Sequence, residues 1–375
     1  MPVADFSSAA CLPSPSRPAN SVPATMLAAV YRGESRVSAE EIATPEIGDG
    51  ELLIRVESCG ICHTDLKKVQ YNLLSPPRVY GHETAGVVVQ AGPGVKDWIA
   101  GDRVVAFHHI PCGACFYCSK RLYAQCPVYK RVGVTAGFEP AGGGFAQYVR
   151  AMDWIVLRGV ERIPESVSFD QACWVEPVNT CLKGVEMLAL ESRDVVAILG
   201  QGPIGLIFTM LARRTGARVI ASDMIPYRRS LSAEYGALAS DPRSPDFESS
   251  IRKCTAGRGA DAVILATNAP GLVDEALRIS RPGAKILLFA QTSAKERIEV
   301  SGADICVGER ILFGSYSADV DLQAESARLV FSGDLRLERL ISHRVSLAKI
   351  EEGIETALHP SERSLKVVVH PQEPA

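Results

Sequence analysis

The sequence predicts a two-part α/β chain, with a β-rich first part and a doubly wound, parallel-sheet second part. From Met26 to about Arg158 the apolar residues come in short runs broken by Gly and Pro, which leaves little room for long helices. From about Val178 to Ser317 continuous apolar runs of strand length alternate with stretches of helix length. Length agrees, because 375 residues exceed what one ordinary core holds.

Residues 1–25 are rich in Pro, Ser and Ala and are expected to form a disordered tail. They lack the basic start, apolar stretch and cleavage site of an export signal, so a cytoplasmic location is expected and Met26 stands as a candidate start. Reduced thiols follow from that location, and the eleven cysteines then read as metal ligands or core residues. Net charge is −3 with no basic stretch, which argues against nucleic acid or an anionic membrane as partner. The longest apolar runs, near residues 195–199 and 286–290, are far shorter than a membrane span.

In chain order, strands are predicted at residues 26–31, 52–57, 84–90, 103–107 and 146–150. Gly48-Asp49-Gly50, Gly92-Pro93-Gly94 and Gly142-Gly143-Gly144 act as punctuation between them. Within this part lies Cys112-x-x-Cys115-x-x-Cys118, then Cys126. Four thiols at this spacing in a Gly- and Pro-flanked loop match a closed, tetrahedral structural zinc site. A redox pair would instead open a helix in a βαβ setting, and core cysteines would not cluster in a polar loop.

The second part offers strands at 194–199, 218–222, 261–267, 284–290 and 311–316, with a shorter one near 238–240. Helices are predicted at 204–215, 227–235, 247–254 and 272–279. The last stretch carries a helix at 323–331, a strand at 341–345, a helix at 347–358 and a strand at 366–370. Its strand character suggests that it returns to complete the first part. The expected division is therefore 26–177 with 321–375, and 178–320 between them.

Gly200-Gln201-Gly202-Pro203-Ile204-Gly205 follows the apolar strand directly and opens a helix, the setting that makes a dinucleotide fingerprint meaningful. The glycines allow a tight turn and close approach of a pyrophosphate to the helix N-terminus. Asp223 ends the next strand, where a carboxylate accepts ribose hydroxyls and repels a 2′-phosphate, favouring NAD over NADP. Arg228 and Arg229 follow, either softening that preference or lying on the helix surface. Upstream, Cys62 in Cys59-Gly60-Ile61-Cys62-His63-Thr64-Asp65, His82 in Gly81-His82-Glu83, and Glu176 in Trp174-Val175-Glu176-Pro177 offer a thiolate, an imidazole and a carboxylate. Three such donors suit a zinc ion with one position left open, and an open zinc beside a nicotinamide suits hydride transfer at an alcohol carbon.

These motifs together resemble the zinc-dependent medium-chain dehydrogenases of the alcohol dehydrogenase superfamily. The polyol (sorbitol/L-iditol) and L-threonine dehydrogenase branches are the most similar, and the resemblance runs from Met26 to Pro371. It implies a GroES-like catalytic domain beside a Rossmann-type NAD domain, a zinc ion at each of two sites and a homo-dimer or homo-tetramer. It makes Cys62 and His82 catalytic-zinc ligands, with Glu83 and Glu176 the carboxylates that bind the metal directly or exchange with water. Which of the two binds at rest stays open. Glu176 stands where simple alcohol dehydrogenases usually have cysteine, which tilts the resemblance toward the polyol relatives. Thr64 resembles the family's relay hydroxyl, Thr180 a contact of the nicotinamide end, and Arg228 belongs with the cofactor-binding residues. Lys67 departs from the His common there, and is either a base lowered by burial, bypassed by water, or a surface charge.

The implied activity is reversible oxidation of a secondary alcohol to a ketone with NAD. A 3-hydroxy amino acid substrate, or tightly held NAD serving net epimerisation or elimination, are the alternatives. Zinc-free quinone reductases and non-enzymatic lens or vesicle proteins of the superfamily fit less well, because the ligands are intact. Residues 138–145 and the Cys173-Trp174 pair are candidate pocket walls.

Overall fold

A computed structural model describes residues 22–139, 142–290 and 297–374 of the chain. Of the expected tail, residues 1–21 lie outside the described residues, and Thr25 already opens the first strand, Thr25–Gly33.

Continuous apolar runs form a parallel sheet in the order Leu238–Ser240, Arg218–Ser222, Val195–Leu199, Ala260–Leu265, Ser280–Leu288, Ile311–Gly314. Counted along the chain this is the order 3-2-1-4-5-6 of the doubly wound dinucleotide-binding fold. The strands need apolar residues throughout because both faces are covered. Val196 and Ile198 pack into one core, and Val195, Ala197 and Leu199 into another. Each of the valines, Ile198 and Leu199 contributes about 1.5–3 kcal/mol on burial. Crossover helices Pro203–Arg214, Pro226–Glu234, Asp246–Cys254 and Leu272–Ile279 start at or just before their predicted positions. The first two begin on a proline, whose missing N–H costs nothing in the first turn.

The other large sheet is mostly antiparallel. Its order is Ile341–Ser346, Lys366–His370, Leu52–Gly60, Glu83–Ala91, Arg103–Ala106, Val160–Arg162, with Tyr148–Ala151 branching from Leu52–Gly60. The last strand of the chain therefore pairs with one of the first, Val369 opposite Cys59. A small sheet joins Arg36–Ala43, Thr25–Gly33 and Arg78–Val79. The strand Arg36–Ala43 is absent from the sequence expectation. It carries Arg36, Glu40 and Glu41 with only Val37 buried, and its turn uses Glu34 and Ser35 at positive φ instead of an Asn-Gly pair.

The helix Val175–Leu188 joins the two sheets, packing on both Glu83–Ala91 and Ser280–Leu288. It too is absent from the sequence expectation, because Pro177 interrupts the helical pattern. The proline is tolerated in the first turn, where no intrahelical bond is lost.

A carboxylate fastens the final strand. Asp170 accepts from His370 Nε2 and Ser58 Oγ at 2.7 Å each and from Arg344 Nε at 2.7 Å. Burial works against the Asp170 charge, but those donors outweigh it and hold the carboxyl far below its ordinary range. Its bond to Asp170 raises His370, burial opposes, and Glu373 adds to the rise. Because His370 is raised, its contribution is complete below its unfolded value and fades as pH climbs through the folded one. Because Asp170 is depressed, its contribution is lost only in strong acid. Asp170→Ala should therefore cost about 2–3 kcal/mol near pH 6, and less near pH 9, where the Arg344 and Ser58 contacts remain. Urea unfolding at both pH values checks this, and an equal cost at both would contradict it.

Candidate metal centre and nucleotide cleft

Cys62 is the N-cap residue of helix His63–Gln70 but makes no side-chain capping bond, so its Sγ is left for another partner. His82 and Glu83 lie where the strand Glu83–Ala91 begins, beside Leu52–Gly60. One ligand atom each from Cys62, His82 and Glu83 lie within 4.8 Å of one another. Close approach depends on Gly60, since a Cβ there would fall 1.9 Å from Glu83 Oε2. The glycine triplet at 142–144 also serves this stretch: Gly144 N donates to Gly81 O at 2.9 Å.

His82 Nδ1 faces Asp65 Oδ1 at 3.0 Å, both side chains buried. With Nδ1–H given to the carboxylate, Nε2 carries the free lone pair, the arrangement that orients a metal-binding imidazole. Burial disfavours charge on His82, but Asp65 and the Cys62 sulfur outweigh it and hold the imidazole well above its ordinary value. Glu83 Oε2 is ion-paired with the buried Lys366 ammonium. Burial lowers Lys366, and Glu83 and Cys62 more than restore it. The thiol, imidazole and carboxylate are a donor set that fits zinc.

Glu176 lies outside that group of three. It lines a small cavity with His82, Thr84, Phe107 and Cys173. Burial raises its carboxyl to about 7, with His82 opposing and Glu83 adding to the rise. Thr64 sits half-buried in the first turn after Cys62, and Lys67 is half-buried one turn on. Of the candidate pocket walls, Cys173 lines the cavity, whereas Trp174 is wholly buried with the Lys366 ammonium 5.4 Å from its ring centroid. Pro140 and Ala141 lie outside the described residues, and Phe145 is core.

Cys112, Cys115, Cys118 and Cys126 also bring their sulfurs within 4.8 Å of one another. The contacts Cys115–Cys118 at 3.5 Å, Cys112–Cys126 at 3.6 Å and Cys112–Cys118 at 3.9 Å bracket the spacing of about 3.8 Å for four sulfurs 2.3 Å from one ion. Burial opposes a thiolate at Cys126, but the N–H groups of Cys112, Tyr129 and Val128 bring it down to about 6. This set fits a closed zinc site.

In the parallel sheet, Gly200 leads the turn and Gly202 caps helix Pro203–Arg214. A Cβ on Gly205 would meet Gly200 O at 1.9 Å, so the helix can approach the strand only with glycine there. Ile204 follows Pro203 in the first turn. Asp223 accepts from Gln201 N at 2.7 Å and Ile225 N at 2.8 Å, which fixes its carboxylate beside the glycine turn. Arg228 Nη1 stands 3.9 Å from Asp223 Oδ2, and Nη2 donates to Ser364 O on the returning segment. Arg229 binds the carbonyls of Asp223 and Met224 and takes the blander role of stapling the turn. Thr180 is buried and donates to Pro177 O at 2.9 Å.

Sequence reasoning left out Asp65 and Lys366. Asp65 had a local signal, a carboxylate three residues after Cys62 at helical spacing. Lys366 had none, because only the folded sheet brings it to Glu83. Metal analysis should find one zinc at each site. Cys115→Ser should lose the closed-site zinc alone, and Asp65→Asn should weaken the other about 10–100-fold. Retention of both ions by Cys115→Ser, or unchanged affinity in Asp65→Asn, would contradict these assignments.

Comparison with known proteins agrees with this geometry. Residues 48–162 match the alcohol dehydrogenase GroES-like domain and residues 203–331 the zinc-binding dehydrogenase domain. The chain is 28% identical to sorbitol dehydrogenase of Bacillus subtilis (strain 168) over 94% of its length and 99% of that protein. It is 30% identical to L-threonine 3-dehydrogenase of Pyrococcus abyssi, over 84% of its length and 90% of that protein. A protein assigned as a zinc-binding dehydrogenase from Sinorhizobium meliloti 1021, solved bound to NADP, superposes with a TM-score of 0.83. It is 30% identical over 93% of this chain and 100% of that one. With an antiparallel sheet carrying the donor triad and a doubly wound sheet carrying the glycine turn, the chain belongs to the zinc-dependent medium-chain alcohol dehydrogenase family, whose enzymes use zinc and a nicotinamide cofactor.

Proposed function

We propose that the chain reversibly oxidises a secondary alcohol of the polyol type to a ketone with NAD. Cys62, His82 and Glu83 would be ligands of the working zinc, and the four-cysteine site would hold a second, structural ion. The observation that carries this reading is the convergence of those three donors beside Glu176, on the helix that joins the metal-bearing sheet to the nucleotide-bearing one. When bound, zinc supplies Lewis-acid activation of the alcohol oxygen and the nicotinamide accepts the hydride.

The chain's own residues supply position and proton traffic. Asp65 fixes His82 through Nδ1, and Lys366 balances the Glu83 charge without leaving the site. Thr64, in the first turn after Cys62, takes the hydroxyl proton from the substrate and passes it outward. Glu176 lines the small cavity with His82 and is the carboxylate that would exchange with Glu83 or with water at the metal. The first turn of Pro203–Arg214 receives the pyrophosphate, and the fixed Asp223 carboxylate receives the ribose and disfavours a 2′-phosphate. A 3-hydroxy amino acid is the second reading, supported by the likeness to L-threonine 3-dehydrogenase.

The test is NADH formation by the zinc-loaded chain on a panel of polyols, hydroxy acids and simple secondary alcohols. Turnover should appear with a secondary alcohol and with NAD⁺ in preference to NADP⁺, and Asp223→Ser should narrow the kcat/KM ratio about ten-fold. Absence of turnover across the panel would overturn the activity. A parent preference for NADP⁺ would overturn the cofactor assignment.

A further inference from the structure

The four-cysteine lobe reaches across to the other sheet. Its small core of Cys118, Ala124, Cys126 and Tyr129 is separate from the main cores. From that core the Tyr129 hydroxyl donates to Ala318 O at 2.9 Å and lies 2.8 Å from Ser317 Oγ. On the lobe's rim, Arg121 Nη2 and Tyr123 OH both donate to Asp321 Oδ2, at 2.6 and 2.9 Å.

These contacts fall on one segment, residues 316–321, which leaves the C-terminal end of strand Ile311–Gly314. The same segment is gripped from the joining helix. Asn179 Nδ2 donates to Asp319 O at 3.0 Å, Asp319 N donates back to Asn179 Oδ1 at 2.7 Å, and Lys183 Nζ donates to Tyr316 O at 2.9 Å. Ser317 adopts φ +61, a left-handed conformation that a non-glycine residue keeps only when its surroundings enforce it. The ring of Tyr129 also stacks on His109 at 5.0 Å, His109 contacts His108 at 3.9 Å, and His108 contacts His82 at 4.7 Å between centroids. One lobe thus touches both the segment at the sheet's end and, through two imidazoles, a residue of the metal site.

Dinucleotides lie across the carboxyl ends of such strands, one nucleotide over each half of the sheet. The glycine turn and Asp223 belong to the half that takes the adenosine. Strands Ala260–Leu265, Ser280–Leu288 and Ile311–Gly314 therefore lie under the nicotinamide half. We infer that the four-cysteine lobe is a strut that sets residues 316–321 against the nicotinamide half of the cleft, with Tyr129 as the positioning residue. This rests on the nucleotide reading given above.

The test compares binding of NADH with that of ADP-ribose, which lacks the nicotinamide ring, by calorimetry on the full zinc-loaded chain. Tyr129→Phe keeps the ring and removes the hydroxyl. It should weaken NADH about five-fold, the scale of one lost hydrogen bond, leave ADP-ribose unchanged and keep the zinc content. Arg121→Ala, on an exposed side chain, should act in the same direction and decides the matter alone if the buried variant does not fold. Equal losses for both ligands, or no loss of NADH affinity in a folded variant of either kind, would overturn the strut. Failure of the unaltered chain to bind NADH would overturn the nucleotide reading itself, and the strut with it.

Discussion

The rest of the structure depends on neutralising two buried carboxylates, Asp65 and Glu83. Asp65 lies against His82 Nδ1 and Glu83 beside the buried Lys366 ammonium, with Cys62 and Glu176 part-exposed at the edge of the group. Anionic groups in a low-dielectric interior repel one another and lose hydration, so they persist only where cations are fixed beside them. Lys366 supplies one positive charge beside Glu83, and Asp65 orients His82 through Nδ1. On the proposed reading, a zinc ion among Cys62, His82 and Glu83 would meet the same demand.

This demand explains features of the fold that otherwise look incidental. The chain must return after the nucleotide sheet, because Lys366 opens the final strand. That strand must be fastened, and Asp170, His370 and Arg344 fasten it at its other end. Gly60 must lack a side chain so that Glu83 and the lysine stem can meet. The joining helix places Glu176 on the cavity and the buried Asn179 on the segment leaving the last parallel strand. Metal site and cofactor cleft are therefore parts of one packing arrangement.

Much of this was legible in the order of residues. The doubly wound sheet announced itself through continuous apolar strands such as Val195–Leu199, because both faces are buried and the code is simple. The four cysteines and the glycine turn were legible because their chemistry is local, each motif being closed within a few residues. Cys62, His82 and Glu83 were legible as donor types, and their convergence required the fold. The illegible parts had non-local causes. Lys366 is an ordinary lysine until the final strand pairs beside Leu52–Gly60. Helix Val175–Leu188 was hidden by Pro177, and strand Arg36–Ala43 by its charges, since an edge strand facing water needs no apolar alternation. The hydroxyl of Tyr129 finds its partners nearly two hundred residues away, beyond any pattern of spacing.

On the proposed reading, one divalent ion is held jointly by Cys62, His82 and Glu83, beside the nucleotide cleft. Diffraction from zinc-loaded crystals, with anomalous data collected across the zinc absorption edge, tests it most directly. The account predicts a zinc peak at bonding distance, about 2.0–2.3 Å, from the Cys62 sulfur, the His82 Nε2 and a Glu83 oxygen, distinct from the peak inside the four cysteines. Anomalous signal inside the four cysteines alone, with none bonded to both Cys62 and His82, would contradict it.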